Sequence, residues 1–491
     1  MNAVQPALRV VILGGGFTGA SVAWQLARMQ VPARVTVVEP RADLGRGLAY
    51  SAEDPAHRIN VPAHRMALDP DNRGDFVDWI AEAQAAGRLE ALPDAQTEFG
   101  LFPSRSLFGR YVAERLAPYR ASGAIRHIRA RVSDVERALD GSLVLLLSDD
   151  SRIRADLLVL ASGHPAPALP KVISALSGAP GLIADPADAT RLAAVPQDGR
   201  VLILGAALSA ADVIATLDRQ GFHGRITCLS RHGLRSRGQG PIPLDSEVDF
   251  TQPPIRKVSE LLRRVRDAIV DDQARGQSWH VVMSRLRAQG AQIWATLDDA
   301  GRQRLLRHLR TWWDVHRYRL APQADAAIEK LIAAGRLGYA AGHLIAAERK
   351  GATIDLSWRP RGSDVPRHEQ FDQVIVTTGP AQGRCIEANP ALGALARLGL
   401  IAPCPLGLGL ATTAQFRALD AQGRASDTIL IAGPLARGHV GELVGAPECT
   451  AHAKGIAREI ARRAMLAPIL RLPVIDRAAH PAAIRPAAPP S

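Results

Sequence analysis

The sequence predicts an α/β chain: two Rossmann-like parallel-sheet units, one inserted in the other, plus a helical insert. Three observations point there. A β-branched run, Arg9-Val10-Val11-Ile12-Leu13, ends at Gly14 and leads into a helical pattern over 18–30 and a strand over 34–39. The same order returns over 200–231, with strands at 200–204 and 225–230 around a helix at 207–220. Between the units and after them, apolar strands at 157–160, 374–377 and 428–432 run into Gly163, Gly379 and Gly433. A chain of 491 residues also exceeds what one core holds, so at least two domains are expected.

The first glycine turn, Gly14-Gly15-Gly16-Phe17-Thr18-Gly19, is a GxGxxG between strand and helix. Gly14 allows the tight turn, and Gly16 lets backbone approach a pyrophosphate at the positive helix end. Gly19 lets helix and strand pack closely. Glu39 ends the next strand 20 residues after Gly19, where a carboxylate meets ribose hydroxyls. Dinucleotide binding by Gly14, Gly16, Phe17, Thr18, Gly19 and Glu39 is the expectation; a tight turn that binds nothing is the alternative.

Asp156 to Gly163 resembles the chain-crossing motif of two-dinucleotide flavoproteins, whose glycine passes close to the cofactor. The preceding stretch, 128–135, would read the adenine, with Val132 as contact. Thr428 to Gly433 and Pro434, followed by a helix near 448–463, resembles their last flavin motif, a helix N-terminus aimed at the flavin ring. Each segment alone reads as a buried strand ending in a turn; their order favours FAD.

In the second unit the loop is Gly205-Ala206-Ala207-Leu208-Ser209-Ala210, with two glycines replaced by alanine. Its second strand ends in Ser230-Arg231 rather than an acid, which suits the 2′-phosphate of NADPH. Gly205, Ser209, Ser230, Arg231 and Gly379 are the residues expected at that cofactor. A vestigial unit kept for packing is the competing reading.

Four further motifs make the chain resemble a broad bacterial family of FAD/NAD(P)-binding oxidoreductases, relatives of flavin N-hydroxylating and Baeyer–Villiger-type monooxygenases. They are Gly47-Leu48-Ala49-Tyr50 with Ile59-Asn60-Val61-Pro62-Ala63 and Met66; Phe102-Pro103-Ser104-Arg105 with Gly109 and Tyr111; Trp313-Asp314-Val315-His316-Arg317 with Pro322; and Gly433-Pro434-Leu435 with Arg437-Gly438, Glu442 and Pro447-Glu448. The resemblance implies bound FAD, a pyridine-nucleotide domain inserted in the FAD domain, and redox chemistry, with Arg105 among the cofactor-binding residues. The expected organisation is an FAD-binding part over 1–196, an NAD(P)-binding part over 197–253 and 334–385, and a helical insert over 254–333. The FAD-binding part returns over 386–466, before an Ala/Pro-rich tail over 467–491.

Composition narrows the chemistry. Cys228, Cys385, Cys404 and Cys449 are scattered, so no CxxC can relay electrons from a flavin to a disulfide, and no metal site has ligand spacing. No apolar run reaches a membrane span, and Val10 to Leu13 runs straight into glycines instead of a leader; a cytoplasmic protein is expected. The net charge of +12 invites a nucleic-acid reading, but residues 254–320 carry 14 Lys/Arg against 7 Asp/Glu without a groove-reading motif. Solvated arginines on a lid are the plain reading, and a pocket for an anionic small-molecule substrate or for the NADPH phosphates the functional one.

Asn60, Arg437, His439 and Glu442 are the candidates near the flavin. Asn60 and His439 are the catalytic ones, His439 as a proton donor or else a hydrogen-bonded structural residue. Asp314 and His316 are candidates for the substrate pocket, or for capping and ion pairing within their helix. The expected activity is NADPH-driven oxidation of a small metabolite by O₂ through reduced flavin. A reductase without oxygen insertion and a non-catalytic flavin-binding sensor are the rivals.

Overall fold

The computed structural model describes residues 8–242 and 246–470. The first sheet has six strands in the order Arg417–Leu419, Ala425–Ile431, Leu157–Leu160, Leu8–Leu13, Ala33–Val38, Ile125–Ile128. All neighbours are parallel except the first pair. Leu157–Leu160 is buried along its whole length and pairs Val10 with Leu157, as expected of a central parallel strand covered on both faces. Helix Phe17–Arg28 covers one face beside helix Ala446–Leu470. A three-stranded antiparallel sheet, Val132–Arg137, Leu143–Leu147 and Arg152–Ala155, lies on the other and shares a core with Val38 and Leu160.

The second sheet has seven strands, in the order Leu182–Ile183, Gln373–Val376, Arg200–Leu204, Arg225–Ser230, Leu337–Lys350, Thr353–Pro360, Arg367–Phe371. The first five run parallel and the last two fold back as antiparallel hairpins. Helix Leu208–Arg219 buries Val213, Ile214 and Leu217 against it. The fold is thus mixed α/β with two nucleotide-binding-type sheets and additional helices.

Two expected boundaries shift. The first part ends earlier than the expected 1–196: Leu182–Ile183 pairs with Val374 and Ile375, and Ile173 and Leu192 enter the second unit's cores. A two-residue edge strand carries no periodicity to read. The helical insert was extended to 333, but helix Pro322–Ala333 buries Ile328 and Leu331 with Ile203 and Ile214. Helical patterning says that a helix forms, not which core receives its apolar face. The insert's own helices are Val258–Ala274, Trp279–Ala288, Gly290–Thr296, Asp299–His308 and Arg310–Arg317. Helix Ala446–Leu470 continues four residues into the expected tail, whose remainder lies outside the described residues.

Polar contacts join the two units. Thr216 donates to Asp54 at 2.7 Å, so its oxygen accepts from His57 Nε2 at 3.0 Å, and Arg219 pairs with the same carboxylate at 2.9 Å. Arg105 pairs with Asp212 at 2.8 Å and donates to the Arg58 carbonyl at 3.0 Å. Helix Leu208–Arg219 is thereby held against the 54–58 loop and the start of helix Arg105–Ala121.

Candidate active site between the sheet edges and the helical insert

Parallel strands leave ligand crevices at their carboxyl ends. At that edge of the first sheet Gly14 has φ +99°, and a Cβ there would stand 2.5 Å from the Ala161 carbonyl oxygen. Only glycine lets the turn pass the crossing strand this closely. A Cβ on Gly16, by contrast, would meet only Gly47 Cα, at 3.5 Å, and Gly163 faces open space. Helix Phe17–Arg28 starts with no side-chain cap, leaving its positive end available to a phosphate. Glu39 is buried; its Oε2 accepts from the Gly15 amide at 2.9 Å and its Oε1 from both the amide and the guanidinium of Arg41 at 3.1 Å, so Oε2 keeps a lone pair for a hydroxyl. Gly433 closes the same edge, its Cα turned toward the Thr18 side chain. These residues fit a dinucleotide.

Not every expected residue faces this crevice. The Phe17 ring packs into the core, 5.5 Å from both Tyr50 and Phe108, so its part is the backbone at the helix start. The Thr18 hydroxyl is turned to Cys449, whose thiol burial pushes up to about 12. Val132 is buried at the start of its strand, opposite Leu147. Pro434 opens the short turn Gly433–Ala436. Arg105 is engaged with Asp212 and Arg58, as above. Asn60 donates its side-chain amide to the Arg319 carbonyl at 3.3 Å and accepts Gln239 on its own carbonyl at 3.2 Å, so it pins the insert to the first unit. His439 is exposed and does not line the cavity described below.

At the second edge Gly205 has φ +130°, and Thr377 lies where its Cβ would be. Ser209 is half-buried in the first turn of its helix, and Gly379 faces open space. The Ser230 hydroxyl accepts from the Gly233 amide at 3.0 Å, keeping its own proton free to donate. Arg231 is exposed and has no ion pair or hydrogen bond among the described residues. His232 lies beside it, 3.2 Å from the Arg361 guanidinium, and partial burial, then the charges of Arg361 and Arg231, lower its pKa. Arg361 sits over a hundred residues further along, at the end of strand Thr353–Pro360, and no local motif flags it.

The insert meets the first unit at the 433–448 segment. Trp294 donates its indole N–H to the Gly438 carbonyl at 3.0 Å, and Gly441 packs on its ring. Arg317 and Glu442 form an ion pair at 2.9 Å, with side chains only 4% and 6% exposed. Glu448 pairs with Arg287 at 2.6 Å and lies 3.5 Å from Arg317. Trp313 and Tyr318 also reach Glu442, at 3.3 and 3.5 Å. Burial raises the Asp314 carboxyl and the Tyr318 phenol, the latter further through Glu442. Asp314 pairs within its own helix, with Arg310 at 3.5 Å, while His316 lines the cavity.

A cavity of about 560 Å³ opens beside this network, walled by insert helices together with Leu408, Arg437, Gly441 and Glu442. His164, directly after Gly163, faces Arg437. Its side chain is exposed, and partial desolvation and that charge lower its pKa. Sequence reasoning missed His164, Arg287 and Trp294, because no motif contains them. Among the described residues no helix is long and apolar enough to cross a membrane, and no His/Cys/Asp/Glu group is arranged to hold a metal.

Residues 11–165 match the FAD-NAD(P)-binding family model, and this stretch is an FAD/NAD(P)-binding domain. No curated protein matches the sequence. Among solved structures, the reduced form of ornithine hydroxylase PvdA from Pseudomonas aeruginosa superposes with a TM-score of 0.65 at 14% identity, over 93% of this chain and 99% of that one. L-lysine 6-monooxygenase from Pseudomonas syringae gives 0.63 at 19% identity over the same shares. Thioredoxin reductase from Lactococcus lactis gives 0.50 at 12%, again over 93% and 99%. The chain has the two-domain flavoprotein fold that these monooxygenases and reductases share.

Proposed function

We propose that the protein is an FAD-containing, NADPH-dependent monooxygenase of a small organic metabolite. The observation that supports this most is the packing of the insert on the 433–448 segment, whose Arg437, Gly441 and Glu442 form part of the cavity wall with the insert helices. A redox site that delivers electrons to oxygen needs a space shielded from bulk water. The whole sequence lacks the CxxC that a disulfide-reducing relative would need.

The chemistry that FAD supplies when bound is acceptance of a hydride from NADPH and transfer of the electron pair to O₂. In the net reaction substrate, O₂, NADPH and a proton yield oxygenated substrate, water and NADP⁺. In this reading Gly14, Gly16 and the start of helix Phe17–Arg28 hold the pyrophosphate, and Glu39 orients the ribose. Ser230, Arg231 and Arg361 receive the 2′-phosphate. His164, neutral beside Arg437, can donate a proton from one ring nitrogen and accept one at the other.

The experiment is anaerobic stopped-flow reduction by NADPH and NADH, wild type beside Arg231→Ala, followed by oxygen uptake. NADPH preference lost in the variant supports the assignment; reduction by neither nucleotide refutes an enzymatic role. Substrate-dependent oxygen uptake without matching peroxide supports oxygen insertion, and stoichiometric peroxide favours the reductase reading.

A further inference from the structure

We infer that the 560 Å³ cavity is the binding site of an apolar monocarboxylate, with Arg437 receiving the carboxylate and the insert helices holding the hydrocarbon body. The inference rests on the proposed function in taking this ligand as the substrate.

The wall is apolar over most of its length, including Leu261, Val265, Leu305, Trp279, Trp312 and Trp313. Its volume is that of a small-molecule site, and Trp312, 49% exposed, stands at the rim. A small, highly charged substrate would leave this wall wet and unfilled, whereas a hydrocarbon body removes it from water.

The head group is argued from charge. Four guanidiniums, Arg287, Arg310, Arg317 and Arg437, and three carboxylates, Asp314, Glu442 and Glu448, form the network beside the cavity, and Arg310, Arg437 and Glu442 line it. Arg287 and Arg317 pair with the two glutamates, and Arg310 with Asp314. Arg437 is left over. It is 7% exposed, has no ion pair among the described residues, and donates only at 3.4 Å to Gly441 O and at 3.5 Å to Gln382 and Tyr318. A buried guanidinium so weakly partnered is one anion short, and its planar fork matches a carboxylate. The surplus arginines of the insert are exposed or engaged: Arg266, also on the cavity wall, is exposed to water. Arg264 and Arg285 hold the Asp249 and Val248 carbonyls, and Arg319 holds His280 O.

The test is a titration of oxidised, FAD-loaded protein with decanoate, decanol and decylamine, read by tryptophan fluorescence without NADPH. Decanoate should saturate below its micellar range and bind at least tenfold tighter than the other two. Arg437→Met should weaken decanoate about ten- to a hundredfold and leave decanol unchanged, and Arg437→Lys should recover part of the preference. Leu305→Trp, or the half-buried Leu262→Trp should that variant lose its FAD, should weaken all three ligands.

Three results overturn the inference: no saturable binding, equal binding of the three head groups, or loss of FAD rather than decanoate affinity in Arg437→Met. The last would assign the guanidinium to the cofactor. Bound decanoate without NADPH-driven oxygen uptake counts against the proposed function and for the site; NADPH-driven turnover without decanoate binding does the reverse.

Discussion

Arg317 and Glu442 lie 2.9 Å apart with almost no solvent on either side chain, although 125 residues separate them in the chain. One ends an insert helix and the other follows the turn after the last strand of the first sheet. Two charges removed from water stabilise the join only while both are present. Glu442→Leu leaves Arg317 buried with Glu448 at 3.5 Å as its remaining partner, and should cost about 3–5 kcal/mol by thermal or urea unfolding. The double variant Arg317→Met/Glu442→Leu should be less destabilised than the sum of the singles. Strict additivity would mean that the pair contributes nothing beyond its separate contacts.

Gly14 and Gly16 separate folding from cofactor binding. Gly14→Ala drives a methyl into the Ala161 carbonyl and should lower both the melting temperature and the flavin content. Gly16 has φ −64° and room for a methyl, so Gly16→Ala should melt within a few degrees of wild type when both are stripped of flavin. It should nevertheless retain less FAD, read from visible absorbance. Full flavin occupancy in Gly16→Ala would remove that glycine from the pyrophosphate site.

Arg105 was expected at the cofactor and is found paired with Asp212 across the two units. Arg105→Leu should therefore lower stability by about 1–2 kcal/mol through an unpaired, partly screened Asp212, with flavin content unchanged. A preparation that folds normally but lacks FAD would restore the cofactor role.

His452 accepts the Gly433 amide on Nδ1 at 3.3 Å, which requires that nitrogen to be unprotonated, and burial lowers it to about 4 from an ordinary 6.5. His280 is lowered to about 4 as well, by burial and by Arg319. Between these values the unfolded chain binds protons that the native chain does not. Stability should hold above pH 6.5 and fall as the pH drops toward 4. His452→Asn, whose side-chain oxygen can still accept from Gly433, should flatten part of that decline in urea melts taken from pH 7 to 4.5.

The strand–glycine–helix units were legible because local rules suffice for them: a β-branched run, a turn that only glycine can make, and an acid one strand later. Glu39 ends against Gly15 through that local order alone. Ser230 and Arg231 were legible for the same reason, since they terminate a strand whose carboxyl end faces the crevice. Leu182–Ile183 and the Ile328 face of helix Pro322–Ala333 were not, because both derive their place from a partner chain segment far away in sequence.

The sequence by itself determined the two-sheet α/β plan, the glycine edges and the place of Glu39 and Arg231 at strand ends, for these are set by backbone sterics and by residues adjacent in the chain. Tertiary structure alone decided what Arg105, Asn60 and the insert's arginines do. A guanidinium or an amide in sequence carries no record of which carbonyl or carboxylate will be within reach. Packing of the insert on the 433–448 segment gave Arg287 and Arg317 their carboxylates and left Arg437 without an ion pair among the described residues, on the wall of an apolar cavity.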